Sequence, residues 1–176
     1  LCSDAMEIRV KGTGPGRGML RWSAEAVECT LGHGGIRTAK VEGDGATPAG
    51  RFALRRVLWR ADRLARPATA LHLAPIGLAD GWCDWPDDPS YNRQVTLPHG
   101  ARHERLWRED GLYDVVVVLG HNDDPVMPGA GSAVFMHVAR EDMGPTEGCV
   151  GLALPILLRL LADCGPGSTI SIAPSG

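Results

Sequence analysis

What the sequence lacks narrows it first. There is no block of like charge: 18 basic side chains stand against 21 acidic ones, for a formal charge of −3. A nucleic-acid footprint calls for a basic face, so nucleic acid is not expected as a partner. No run approaches the ~20 apolar residues that span a bilayer. The longest, Leu152 to Leu158, is broken by Pro155 and followed by Arg159. The cysteines at positions 2, 29, 83, 149 and 164 contain no C-x-x-C pair, which argues against a paired-cysteine zinc cluster and a thioredoxin-type motif. No internal repeat and no linker between two compositions are visible. Leu1-Cys2-Ser3-Asp4-Ala5 ahead of Met6 has neither a Met start nor the pattern of a signal peptide. Residues 1–5 therefore read as an expression scar or a trimmed end.

What remains is an ordinary globular composition, with 44% apolar and 22% charged residues over 176 positions. That length fits one domain, expected over residues 6–176, able to bury about 70% of its unfolded surface. Gly (23) and Pro (13) make up about a fifth of the chain, which argues for many turns and against a helical bundle. Short β-rich runs punctuated by Gly, Pro and Asp predict strands. They fall at Glu7–Val10, Met19–Trp22, Ala26–Leu31, Ile36–Val41, Arg51–Leu58, Leu71–Ala74, Tyr113–Gly120, Ala133–Ala139 and Ser168–Ala173. Gly32-His33-Gly34-Gly35 reads as a hairpin connection between two of them. The unbroken run Val115 to Leu119 predicts a strand buried on both faces. One helix is expected, with Pro155 at its start and Gly165-Pro166 at its stop. Residues 81–110 are rich in Trp, Asp, Pro, Arg and His without periodicity, as in a binding loop or lid. The class is mostly β, with one helix near the C-terminus.

The chemistry concentrates where Val134-Phe135-Met136-His137 ends a strand and Pro145-Thr146-Glu147-Gly148-Cys149-Val150-Gly151 follows. A cysteine in a glycine turn between strand and helix is placed to expose its sulfur. Free backbone N–H groups there bind an oxyanion, and the coming helix's positive end favours thiolate. His137 is the nearest imidazole able to take the thiol proton. The bland alternative makes Cys149 a small buried hydrophobe and His137 a core residue.

His137 followed by Thr146-x-Gly148-Cys149 ahead of a helix resembles the L,D-transpeptidase (YkuD-like) catalytic domain of bacterial cell-wall enzymes. Thr47-Pro48-Ala49-Gly50-Arg51-Phe52 is similar to that family's upstream Thr-Pro-x-Gly-x-Phe segment, which shapes the sheet beneath the site. The resemblance runs from about Cys29 to Ile172. It implies a β-sandwich or mixed sheet with one helix after the catalytic cysteine. It also implies peptidoglycan stem peptides as donor and acceptor, a Cys149 thioester, no cofactor, carbapenems as inhibitors, and a periplasmic or cell-envelope location, as a monomer. Catalysis would rest on Cys149, His137 and the Gly148 backbone. Cross-links of the 3,3 type, or of the 1,3 type through an L-alanine carbonyl, are both compatible, as are L,D-carboxypeptidase or endopeptidase activity and a non-catalytic wall-binding module.

The chain departs from the family at several points. The spacer from Val138 to Pro145 is short, Glu147 stands where His or Arg is common, and Gly151 stands where Arg or Asn is common. Residues 81–110 are the expected source of a replacement cation. Thr146, Glu147, His121, Tyr91 and Arg93 are therefore expected to bind substrate, Arg93 by bidentate pairing with a carboxylate. His121-Asn122-Asp123-Asp124 lies at a strand end, but His121, Asp123 and His137 lack a recognised ligand spacing, and no metal is expected. His33, His72, His99 and His103 carry no motif and read as surface or loop residues.

Overall fold

A computed structural model describes residues 5–175; Cys2 and most of the short leading segment lie outside them. The chain runs β1 (Glu7–Gly14), β2 (Arg17–Trp22), β3 (Glu25–Thr30), β4 (Ile36–Arg37), β5 (Thr47–Pro48), β6 (Gly50–Trp59) and β7 (Leu73–Pro75). It continues through β8 (Asp80–Cys83), β9 (Gln94–Thr96), β10 (His103–Arg105), β11 (Val115–Leu119), β12 (Phe135–Val138), β13 (Val150–Leu152), α1 (Leu154–Ala162) and β14 (Thr169–Ala173). The fold is mostly β with one helix. A mixed nine-stranded sheet has the order β11-β12-β13-β3-β2-β1-β14-β6-β7. β6 closes it: Gly50–Ala53 pairs with β14, while the stretch from Leu54 to Trp59 pairs with β11. The two ends of the sheet thus meet on the longest strand.

Strand alternation divides the buried residues into two clusters. Val115, Val117 and Leu119 of β11 join Met136, Val150 and Leu152 in the larger one, which Leu157, Leu160 and Leu161 of α1 also enter. Val116 and Val118 point the other way, with Phe135 and Cys149, beneath Trp82, Leu106 and Tyr113. β11 is buried throughout because both faces are covered. At roughly 1.5–3 kcal/mol per fully buried aliphatic side chain, these clusters are the main favourable term in folding.

Three sequence expectations change. Gly32–Gly35 is not a hairpin, since β3 pairs with β2 and β13 whereas β4 pairs with β5. Gly32 and Gly34 serve close backbone approach: a Cβ at Gly32 would collide with the Gly45 carbonyl oxygen and stand 2.9 Å from the Gly148 Cα. The strand predicted over 36–41 ends at Arg37 because the Asp44 carboxylate takes the Val41 and Ala46 N–H groups, competing with any ladder. Residues 81–110 hold a small sheet in the order β10-β8-β9. Its strands of three or four residues are too short to show a period.

Candidate active site

Cys149 and His137 are brought to one cavity of about 420 Å³. β12 and β13 run parallel, Met136 beside Val150 and His137 beside Gly151. Cys149, one residue ahead of β13, therefore lies next to Phe135. Its sulfur accepts the Phe135 N–H (3.4 Å) and donates to the Ala133 carbonyl (3.2 Å). The loop beneath is held by the upstream segment, where Thr47 Oγ1 accepts the Gly32 N–H at 2.8 Å. Gly148 has φ +140°, and a Cβ there would stand 2.7 Å from the Ala46 carbonyl oxygen, so the approach requires glycine.

The sulfur is not exposed by its turn, because Cys149 is only 8% accessible. Nor does the helix end reach it: β13 intervenes, and α1 packs into the opposite cluster. Burial pushes the Cys149 thiol up to about 12, and the Glu104 carboxylate adds to this. The Phe135 N–H, Lys40 and Arg108 oppose the rise. The resting group is a neutral thiol.

His137 is buried, and burial pulls its pKa below 6.5. Its Nδ1 lies 2.8 Å from the Val138 carbonyl oxygen. A carbonyl only accepts, so Nδ1 carries the proton and Nε2 keeps a lone pair. The Tyr113 ring stands edge-on to the imidazole at 5.3 Å, and its hydroxyl donates to Glu104 Oε1 at 2.7 Å. Burial raises Glu104 to about 7, with Tyr113 opposing. The thiol donates to the Ala133 carbonyl, and the imidazole that shares its cavity is a base able to take that proton when sulfur attacks.

The expected substrate-binding residues fare differently. Thr146 lines the cavity, but its hydroxyl accepts the Gly148 N–H (3.1 Å) and donates to the Cys149 carbonyl (2.7 Å), so it shapes the turn. The Gly148 N–H is thereby committed. Glu147 lies at the rim, 3.0 Å from His33 Nε2. Tyr91 is buried, and its hydroxyl accepts the Gly131 N–H; it does not line the cavity. Arg93 lines a separate groove with Arg55, Arg56 and Trp82. His121 packs edge-on against Phe52 at 5.5 Å, away from the cavity lining. No metal-ligating group forms around His121, Asp123 and His137 among the described residues. Asp123 is instead held by both Arg55 donors.

Residues 81–110 do bring cations to the cavity, but the particular ones, Arg102 and Arg108, escaped sequence reasoning, as did Lys40 and Arg140 outside that stretch. Arg102 pairs with Asp84 at 2.9 Å, Arg108 pairs with Asp110, and Lys40 is buried against Asp44 at 2.9 Å. Arg140 has no ion-pair partner among the described residues. Burial opposes ionisation of Asp44, but the Val41 and Ala46 N–H groups and Lys40 pull it down to about 2. Gly151 cannot host a cation, because a side chain there would collide with Thr30 Oγ1 and stand 3.3 Å from Ala139.

Fold and cavity together define a β-rich protein with a thiol–imidazole site. The family model described as the L,D-transpeptidase catalytic domain (YkuD) matches residues 14–172, nearly the whole chain, and the chain belongs to that family. Comparison with curated proteins and with solved structures finds no match. Among the described residues no helix is long and apolar enough to cross a membrane.

Proposed function

We propose that the protein is an L,D-transpeptidase that joins peptidoglycan stem peptides through a thioester on Cys149. The observation that carries this reading is that Cys149 and His137, whose Nδ1 is tied to a carbonyl, both line one cation-lined cavity. Sulfur attacks the carbonyl carbon of the L residue, and the thiol proton passes to His137 Nε2. The C–N bond breaks, and that proton leaves on the amine of the departing D residue. The acceptor amine then attacks the thioester, its proton passes to His137, and the Cys149 thiol is restored. With the Gly148 N–H engaged by Thr146, the Cys149 N–H serves as the oxyanion donor.

Stem peptides carry free carboxylates. Arg102 and Arg108, from residues 81–110 with the cavity on their flank, and Arg140 supply planar donors for them. Residues 81–110 act in this reading as a substrate-binding wall. Peptidoglycan places the reaction at the cell envelope or in the periplasm. Incubation with disaccharide-tetrapeptide and disaccharide-pentapeptide, followed by mass spectrometry, tests the proposal. Cross-linked dimers from the wild type and none from Cys149→Ala are expected, and fragmentation assigns a 3,3 or a 1,3 linkage. Shortened monomers without dimers would replace transfer by hydrolysis. Turnover surviving Cys149→Ala would remove the nucleophile, and no turnover with an unreactive thiol would leave a wall-binding module. A carbapenem is expected to add its mass to the same cysteine.

A further inference from the structure

Outside the Cys149 cavity a second constellation of nucleophilic and titratable groups stands in the small sheet. Cys83 ends β8 and is fully buried. Asp88 lies in the turn that follows, and His99 in the connection from β9 to β10. They come from a strand end, the turn after it and the connection from β9 to β10, which is why no sequence spacing announced them. Cys83 Sγ is 3.7 Å from Asp88 Oδ1, His99 Nε2 is 3.6 Å from the same oxygen, and all three ligand atoms lie within 4.8 Å of one another. His99 Nε2 is buried and has no hydrogen-bond partner among the described residues.

We propose that Cys83, Asp88 and His99 form a zinc-binding site, separate from the Cys149 cavity, with solvent as the fourth ligand. Tetrahedral zinc with ordinary bond lengths of about 2.3 Å to sulfur and 2.0–2.1 Å to nitrogen or oxygen separates neighbouring ligands by roughly 3.3–3.6 Å. The two measured edges need to close by only a few tenths of an ångström. One thiolate, one imidazole and one carboxylate are a donor set for a borderline-soft cation rather than for calcium or magnesium. Their two negative charges balance Zn²⁺. Binding forms the S–Zn bond and releases the Cys83 thiol proton to solvent, and it gives the buried His99 nitrogen a partner. Asp88 keeps its contact with the Ser90 N–H (2.8 Å), which orients the carboxylate. A shallow depression lined by Trp85, Asp87, Gly100 and Arg102 gives water access to Asp88.

The site sits beside the rim of the other cavity without sharing a residue with its lining. Asp84, next to Cys83, pairs with Arg102, three residues beyond His99, and both of those side chains line the Cys149 cavity. Zinc would staple the turns that carry this pair.

The full chain, stripped with a chelator, is titrated with Zn²⁺ against a chromophoric chelator, and separately with Co²⁺. Stoichiometric zinc binding is expected, with a thiolate-to-cobalt charge-transfer band in the near ultraviolet. Both persist in Cys149→Ala, the band disappears in Cys83→Ser, and affinity falls ~100-fold in His99→Gln. Absence of stoichiometric binding, absence of the band in the wild type, or undiminished binding by Cys83→Ser would each overturn the proposal. The wild-type cobalt spectrum decides even if Cys83→Ser does not fold. Cys149→Ala keeps the outcome independent of the acyl-transfer reading.

Discussion

Replacing Glu104 by Gln isolates what a carboxylate beside the Cys149 cavity costs. Burial lifts Glu104 from its ordinary 4.5 to about 7. A carboxyl whose folded pKa is raised contributes stability that is complete below 4.5 and is lost as pH rises through 7. At 1.36 kcal/mol per pH unit the contribution is about 3 kcal/mol. Glutamine has the same shape, cannot ionise, and keeps an oxygen to accept the Tyr113 hydroxyl, which now lies 2.7 Å from Glu104 Oε1. Urea unfolding at intervals from pH 4.5 to 8 should therefore show the variant gaining on the wild type by about 3 kcal/mol across that window. For a chain of this length this is roughly 6–12 °C in Tm at pH 8. Contributions from Asp44 and His137 are common to both proteins and cancel in the difference. The same carboxylate helps raise the Cys149 thiol, so alkylation of Cys149 at pH 8 should be faster in the variant. Parallel stability curves over the whole window would refute the reasoning.

Because burial lowers His137 below 6.5, the required neutral base persists under mild acid. The acid limb of kcat/KM should have its midpoint below pH 6.5; a midpoint above it contradicts the dominance of burial over the Val138 carbonyl bond. Asn92 Oδ1 accepts from Trp82 Nε1 and the Ala133 N–H, while its Nδ2 donates to the His121 and Asn122 carbonyls. Asn92→Ala leaves buried groups unpaired and should cost about 2–4 kcal/mol in urea melts. Gly32→Ala drives a methyl into the Gly45 carbonyl and towards Gly148. A loss of about 2 kcal/mol or more, with slower Cys149 alkylation, is expected from calorimetry and thiol kinetics.

The nine strands read from the chain all occur, with altered ends, because β-branched runs between turn residues are a local signal. The strands that went unread, β5, β8, β9, β10 and β13, have two to four residues each and exist through their partners. Tyr91 and Arg93 share a polar, aromatic stretch that looks like a ligand surface. Burial made Tyr91 a tie to Gly131 and left Arg93 in another groove.

By itself the sequence determined a mostly β chain, the order of its main strands, and the placing of His137 on a strand and Cys149 in the turn ahead of the next one. Those are properties of short stretches, whose periodicity and turn chemistry act over a few residues. Only the tertiary structure decided that Cys149 rests as a thiol, that His137 keeps its proton on Nδ1, and that Lys40, Arg102, Arg108 and Arg140 surround them. Protonation is set by burial and by neighbours distant along the chain, and those neighbours are chosen when the sheet closes through β6 and residues 81–110 fold over its outer face.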